Sequence, residues 1–148
     1  MQLSQKCRYA VRALIHLARH HGGEPVKIGE IAHAQGIPER FLEVILSELK
    51  GSGIVRSRRG RKGGYLLDVA PRKLTLGQVI RFIDGPLAPV GDLDDGDVEP
   101  EFYGQCALRR IWGRARDALR EVYDEKTFAE LVADEERLRS RYVPQYAI

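Results

Sequence analysis

Three consecutive residues, Gly36-Ile37-Pro38, restrict the fold of this chain more than any others. They sit between two short amphipathic stretches. Upstream, Ile28, Ile31 and Ala32 predict a helix from Lys27 to Ala34. Downstream, Leu42, Ile45, Leu46 and Leu49 recur at helical spacing over Pro38 to about Lys50. Glycine tolerates the backbone that ends a helix, and proline suits the opening turn of the next one. The two helices are therefore expected to join through a tight turn plugged by Ile37. A longer helix precedes them, about Ser4 to His20, striped by Tyr9, Ala10, Ala13, Leu14, Leu17 and Ala18 and ended by Gly22-Gly23 and Pro25.

Beyond the third helix the pattern becomes β-like. Gly51-Ser52-Gly53 stops the helix, Ile54-Val55 begins a strand, and Tyr65-Leu66-Leu67 returns as its partner. Between them lie five cations in seven positions: Arg56, Arg58, Arg59, Arg61 and Lys62. Gly60, Gly63 and Gly64 free the loop backbone for positive φ and keep it slim. Pro71 and the run Leu74 to Ile83 predict one more helix, with Leu76, Val79, Ile80 and Ile83 inward. Helix, helix, turn, helix, hairpin, helix is the order of a winged helix-turn-helix domain, here residues 1–84 of a mainly α protein.

Past that domain the composition changes. Residues 85–100 read GPLAPVGDLDDGDVEP and have neither helical nor strand period, so 85–104 is expected to be an acidic Gly/Pro-containing loop. Residues 105–148 form the third region. Ile111, Ala115, Ala118, Leu119 and Val122 stripe a long helix from about Gln105 to Asp124, with Trp112 widening its apolar face. So one-sided a helix needs a partner surface, and a second copy of the chain is the natural one. Thr127 and Glu130 fit a capping box that opens a shorter helix reaching toward Arg141.

Charge is segregated along the same divisions. Residues 1–83 carry 15 Lys/Arg against 6 Asp/Glu, whereas residues 84–148 carry 9 against 15. The first region suits a polyanionic partner. The third helix, with its polar face of Glu39, Arg40, Glu43, Ser47 and Lys50, is the element to enter a major groove. Arg40 can donate to a guanine edge or a phosphate, and Glu43 can accept from a cytosine amino group. The wing, Arg58 to Tyr65, can neutralise backbone phosphates or place arginine in a narrow minor groove, with glycines letting its main chain approach the duplex. Double-stranded DNA is the expected partner; an RNA-binding or protein-interaction module is the alternative of another class. No nucleophile with an adjacent base and no phosphate-binding Gly-Lys-Ser/Thr loop points to an enzyme. No signal peptide or membrane span is read, and two cysteines, Cys7 and Cys106, suit a reducing cytoplasm.

The stretches LSQKCRYAVRAL, IAHAQGIPERFLEVILSELKGSGIV and RRGRKGGYLL resemble the Rrf2 family of bacterial winged-helix regulators, over most of the chain. The resemblance implies homodimers whose long C-terminal helices cross and which bind imperfect palindromes near promoters, repressors being among its members. It places Arg59 at the minor groove and Glu39, Arg40 and Glu43, following Pro38, at the major groove. It also implies a role in cysteine, sulfur or iron–sulfur metabolism, with an effector metabolite or partner enzyme as the signal.

Many such proteins hold an iron–sulfur cluster on three cysteines in the loop before the long helix. Here Cys106 alone corresponds to one of them, so the resemblance is closer to the cluster-free CymR type and disfavours a cluster, an iron–sulfur or thiol-based redox-sensing regulator of the same family being the alternative. Cys7 and Cys106 remain candidates for a redox disulfide or shared ligand set across a dimer, beside the plainer reading of Cys7 as a small buried hydrophobe. Lys6, Arg8 and Arg109 are candidates to lower a thiol pKa. His16, His20, His21 and His33 form no convincing metal spacing on one face, and no metal is assigned.

Overall fold

Ser4 starts the first helix, α1 (Gln5–Arg19), its hydroxyl oxygen accepting from the Cys7 N–H at 3.0 Å. Its own N–H and hydroxyl donate to the carboxylate of Asp84 at 2.8 and 2.5 Å, fastening the beginning of the domain to its end. The computed structural model describes residues 1–90 and 101–142, so most of the acidic loop, residues 91–100, lies outside the described residues.

The turn forms as its residue types dictate. Helix α2 (Ile28–Gln35) ends on Gly36 at φ +59°, and Ile37 donates to the Ala32 carbonyl at 3.0 Å, folding the chain back over the helix end. Ile37 is buried in the core. Pro38 is the N-cap of α3 (Glu39–Gly51) rather than part of its first turn, and its carbonyl accepts from Phe41 and Leu42 at 3.0 Å each. Leu42, Ile45, Leu46 and Leu49 are all fully buried, contributing about 1.5–3 kcal/mol apiece to holding α3 in place.

Strands β1 (Val55–Arg58) and β2 (Gly64–Leu67) pair antiparallel, Val55 opposite Leu67 and Arg58 opposite Gly64. A single 3-10 turn (Pro71–Lys73) leads to α4 (Leu76–Asp84). That helix starts two residues later than the apolar run suggests, because Thr75 and Gln78 close a capping box and leave Leu74 as a buried plug before it.

Helix α5 (Gln105–Glu125) spans about 31 Å at the usual rise per residue. Its C-terminal end is held to α4: Arg81 donates to both carboxylate oxygens of Asp124, at 3.1 and 2.6 Å. Gly77 makes this approach possible, since a methyl group there would collide with the Asp124 carboxylate. The chain then turns into α6 (Phe128–Ser140) through the Thr127–Glu130 capping box. Two backbone bonds pin that turn, Leu76 N–H to Lys126 O at 2.8 Å and Phe128 N–H to Leu74 O at 2.9 Å. Phe128 enters the same core as α1 and α3, while no residue of α5 is buried. Among the described residues, no helix is long and apolar enough to cross a membrane.

Candidate DNA-binding face

Helix α3 exposes a face whose centre is set by the buried rail. At about 100° per residue, Arg40, Val44 and Ser47 project most directly away from Leu42, Ile45, Leu46 and Leu49. Glu39 and Glu43 lie on one flank of that face. Phe41 and Glu48 lie on the other, turned toward α1: Phe41 meets the Tyr9 ring edge-on at 5.9 Å, and Glu48 pairs with Lys6 at 2.5 Å. Val44 is 57% exposed, an apolar side chain in the middle of a polar face. It sits off the apolar stripe at a position where sequence patterning gives no reason to single it out.

The wing is built more tightly than a solvated loop. Gly63 donates to the Gly60 carbonyl at 2.9 Å, closing a four-residue turn with Arg61 and Lys62 at its two corners. Gly60 takes φ +102°, a conformation that strains other residues. Gly63 and Gly64 answer to a different need. A Cβ on Gly63 would collide with the Arg58 carbonyl, and one on Gly64 would collide with the Val26 carbonyl. The neighbour that excludes a side chain at both positions is the protein's own backbone, so intramolecular closeness already requires these glycines.

Val26 is the reason. It exchanges two backbone hydrogen bonds with Tyr65, at 2.9 and 2.8 Å, and so acts as a one-residue third strand beside β2. Next to it, Lys27 donates through Nζ to the Arg61 carbonyl at 2.8 Å. The root and tip of the wing are thus both tied to the segment entering α2, and the half-buried Tyr65 packs against the core. Wing and helix-turn-helix form one mechanical unit.

Charge on this face divides into paired and unpaired. Arg56 meets Asp68 at 3.3 Å and Arg58 meets Glu24 at 3.9 Å. Among the described residues, Arg40, Arg59, Arg61 and Lys62 form no ion pair, and all four are exposed. Three unneutralised cations stand together at a fixed turn, an arrangement able to neutralise phosphates.

The cysteines part company. Cys7 is buried against Ile80 and Leu87, and burial together with the nearby Asp84 pushes its thiol up to about 12. The direction is opposite to the lowering expected from Lys6, Arg8 and Arg109: Lys6 is committed to Glu48, and the charge nearest the thiol is negative. Cys106 is exposed at the start of α5. His16 is buried in α1, and burial followed by its neighbour His20 lowers its pKa, favouring the neutral ring.

A helix-turn-helix with a braced cationic wing, followed by a long helix without a core of its own, is the architecture of a transcriptional regulator. Residues 3–134 match the family described as Rrf2, iron-dependent transcriptional regulator, and the chain belongs to that family. It is 39% identical over 133 residues to CymR of Bacillus subtilis, covering 90% of this chain and 91% of that one. It is 31% identical over 138 residues to IscR of Vibrio parahaemolyticus, covering 93% and 81%. The solved structure of CymR, the global cysteine regulator of B. subtilis, superposes with a TM-score of 0.77 at 37% identity, covering 90% of this chain and 97% of that one. T. potens IscR superposes at 0.75 and 31%, covering 93% and 90%. These relatives are transcriptional regulators, and this chain is a regulator rather than an enzyme.

Proposed function

We propose that the protein binds duplex DNA as a homodimer and represses transcription from a palindromic operator, as a cluster-free regulator of the CymR type. The observation that carries this is the braced wing with Arg59, Arg61 and Lys62 unpaired, beside an α3 that presents Arg40, Val44 and Ser47 to solvent. Phosphate contacts from the wing supply affinity, and base-edge contacts from α3 supply sequence preference. Arg59 acts at the minor groove, and Glu39, Arg40 and Glu43 act at the major groove. The twofold arrangement uses α5, where Ile111, Trp112, Ala115, Ala118, Leu119 and Val122, together with Leu108, lie along one apolar face at three- and four-residue spacing. Ile111 is 55% and Val122 65% exposed.

The donor set does not fit a cluster. The family's cluster uses three cysteines of the loop before the long helix, and this chain has two cysteines in all, Cys106 at that place and Cys7 buried in α1 with its proton held. Kinship with CymR, a cysteine regulator, supports cysteine and sulfur metabolism as the field of regulation, and kinship with IscR keeps iron–sulfur metabolism beside it. Titrating fluorescent operator DNA at several salt concentrations tests the reading. Binding should fall steeply with salt, and Arg59→Ala should weaken it and make the salt slope shallower by about one. Affinity for random duplex equal to that for promoter DNA upstream of the chain's own gene, in parent and variant alike, would sink it.

A further inference from the structure

The end of α1 and the start of α2 bring three ligand-bearing side chains together outside the DNA-binding face: His16, His20 and Glu30. One ligand atom from each lies within 4.8 Å of the other two. His16 lies in the last turn of α1 and His20, four residues on, is its C-cap, their rings 4.7 Å apart, and Glu30 comes from the first turn of the next helix. We propose that these three residues bind a divalent transition-metal ion of the zinc class, fastening α1 to the first helix of the helix-turn-helix.

Two independent features of the cluster point to a ligand. First, His16 is only 9% exposed and its Nε2 is buried with no hydrogen-bond partner. A buried polar atom without a partner is uncommon enough to require an explanation, and a metal lone-pair acceptor supplies one. Second, Nδ1 of His20 lies 2.8 Å from the His16 carbonyl, which accepts a hydrogen bond from that nitrogen. A ligating histidine characteristically donates its other ring N–H to a carbonyl in this way, fixing the tautomer with Nε2 free to coordinate. The Glu30 carboxylate makes no hydrogen bond or ion pair among the described residues and is exposed.

Two imidazoles and a carboxylate leave one tetrahedral position for water. Metal–ligand bonds of about 2.0–2.2 Å set tetrahedral donors about 3.4 Å apart, so atoms within 4.8 Å of one another need to close by up to about 1.4 Å, a movement shared by the exposed Glu30 and half-buried His20 side chains. Arg19, whose charge acts on His16, is drawn aside by Glu136 at 3.3 Å. Neither cysteine belongs to the set, so the site is distinct from any cluster position.

Cobalt(II) added to the untagged, metal-stripped full chain reports on the site through visible d–d absorption, and zinc competition then gives the affinity. The expected result is one ion per chain, with Glu30→Gln and His20→Gln each weakening binding at least about tenfold, and Cys106→Ser leaving it unchanged. His16 is left intact because it belongs to the core. Melting temperature gives a second measurement: zinc should raise it in the parent and not in Glu30→Gln. Absence of the absorption bands in the parent would overturn the proposal, as would unaltered affinity in both variants or loss of binding in Cys106→Ser.

Discussion

Helices α3 and α5 are both strongly one-sided, yet they end in opposite situations. The four apolar residues that stripe α3 are fully buried, whereas α5, longer by eight residues, buries none. The first helix is completed by its own chain. The second is attached at one end, through Asp124 to Arg81 and through the turn to α6, and leaves Ile111 and Val122 to water. Identical periodicity therefore records two different things, a stripe already matched and a stripe awaiting a match. A surface helix with so much exposed apolar area is the physical argument for a second copy.

The contrast breaks most visibly at its buried side. Leu46→Ala removes a side chain with no exposure and leaves a cavity, so it should cost about 2–5 kcal/mol in urea unfolding. That loss should be the same at every protein concentration if the domain is folded by its own core. Ile111→Glu attacks the other side. In an isologous dimer the charge enters the interface twice, so sedimentation should show association weakened by about 2 kcal/mol or more for each copy. Far-UV circular dichroism of the dilute variant should match the parent. A monomeric parent, or an unfolded Ile111→Glu chain, would remove the distinction between the two helices.

The residues legible in the sequence are those whose role is local. The stripe of α3, the Gly36 turn, the Ile37 plug and the Thr127–Glu130 box all come from spacing and residue type, and the winged helix-turn-helix is readable from them. The hidden parts are built by tertiary contact. Val26 forms its strand pairing as a single residue beside a proline, too short to show a period. Phe128 is one aromatic residue at a helix start, and nothing local reveals that it closes the core of the first domain. The same holds for the site. The cations of the wing can be counted, but which two are paired depends on where Asp68 and Glu24 fold to. The H-x-x-x-H spacing of His16 and His20 gains meaning only when α2 delivers Glu30.

The turn that aims α5 offers a smaller lever. Thr127→Ala removes the cap of α6 and should cost about 1 kcal/mol. Hydrogen bonds from Thr127 hold the Glu130 carboxyl below its ordinary pKa of 4.5. A group depressed in the folded state stabilises it above the unfolded pKa and loses that contribution as pH falls through the folded value. Stability of the parent should therefore decline on acidification below about 4.5, and Thr127→Ala should make that decline shallower. Unfolding curves across acid pH decide this; equal slopes for the two chains would remove Glu130 from the account.

The smallest energetic effect belongs to the exposed centre of α3, and it sharpens the comparison most. Val44 lies on the same helix as Leu46 but faces water, so Val44→Ala should change folding stability by no more than about 0.5 kcal/mol. Its consequence should show in DNA instead. An exposed branched side chain between Arg40 and Ser47 can cover a thymine methyl group, and alanine would withdraw two methyl groups from that contact. Selection from a randomised duplex library should show weakened preference at one base position in each half-site, with the salt dependence unchanged because no phosphate contact is touched. A variant that loses stability would place Val44 in the core. One that keeps the parent's full base preference would leave Arg40 and its acidic neighbours to carry sequence reading alone.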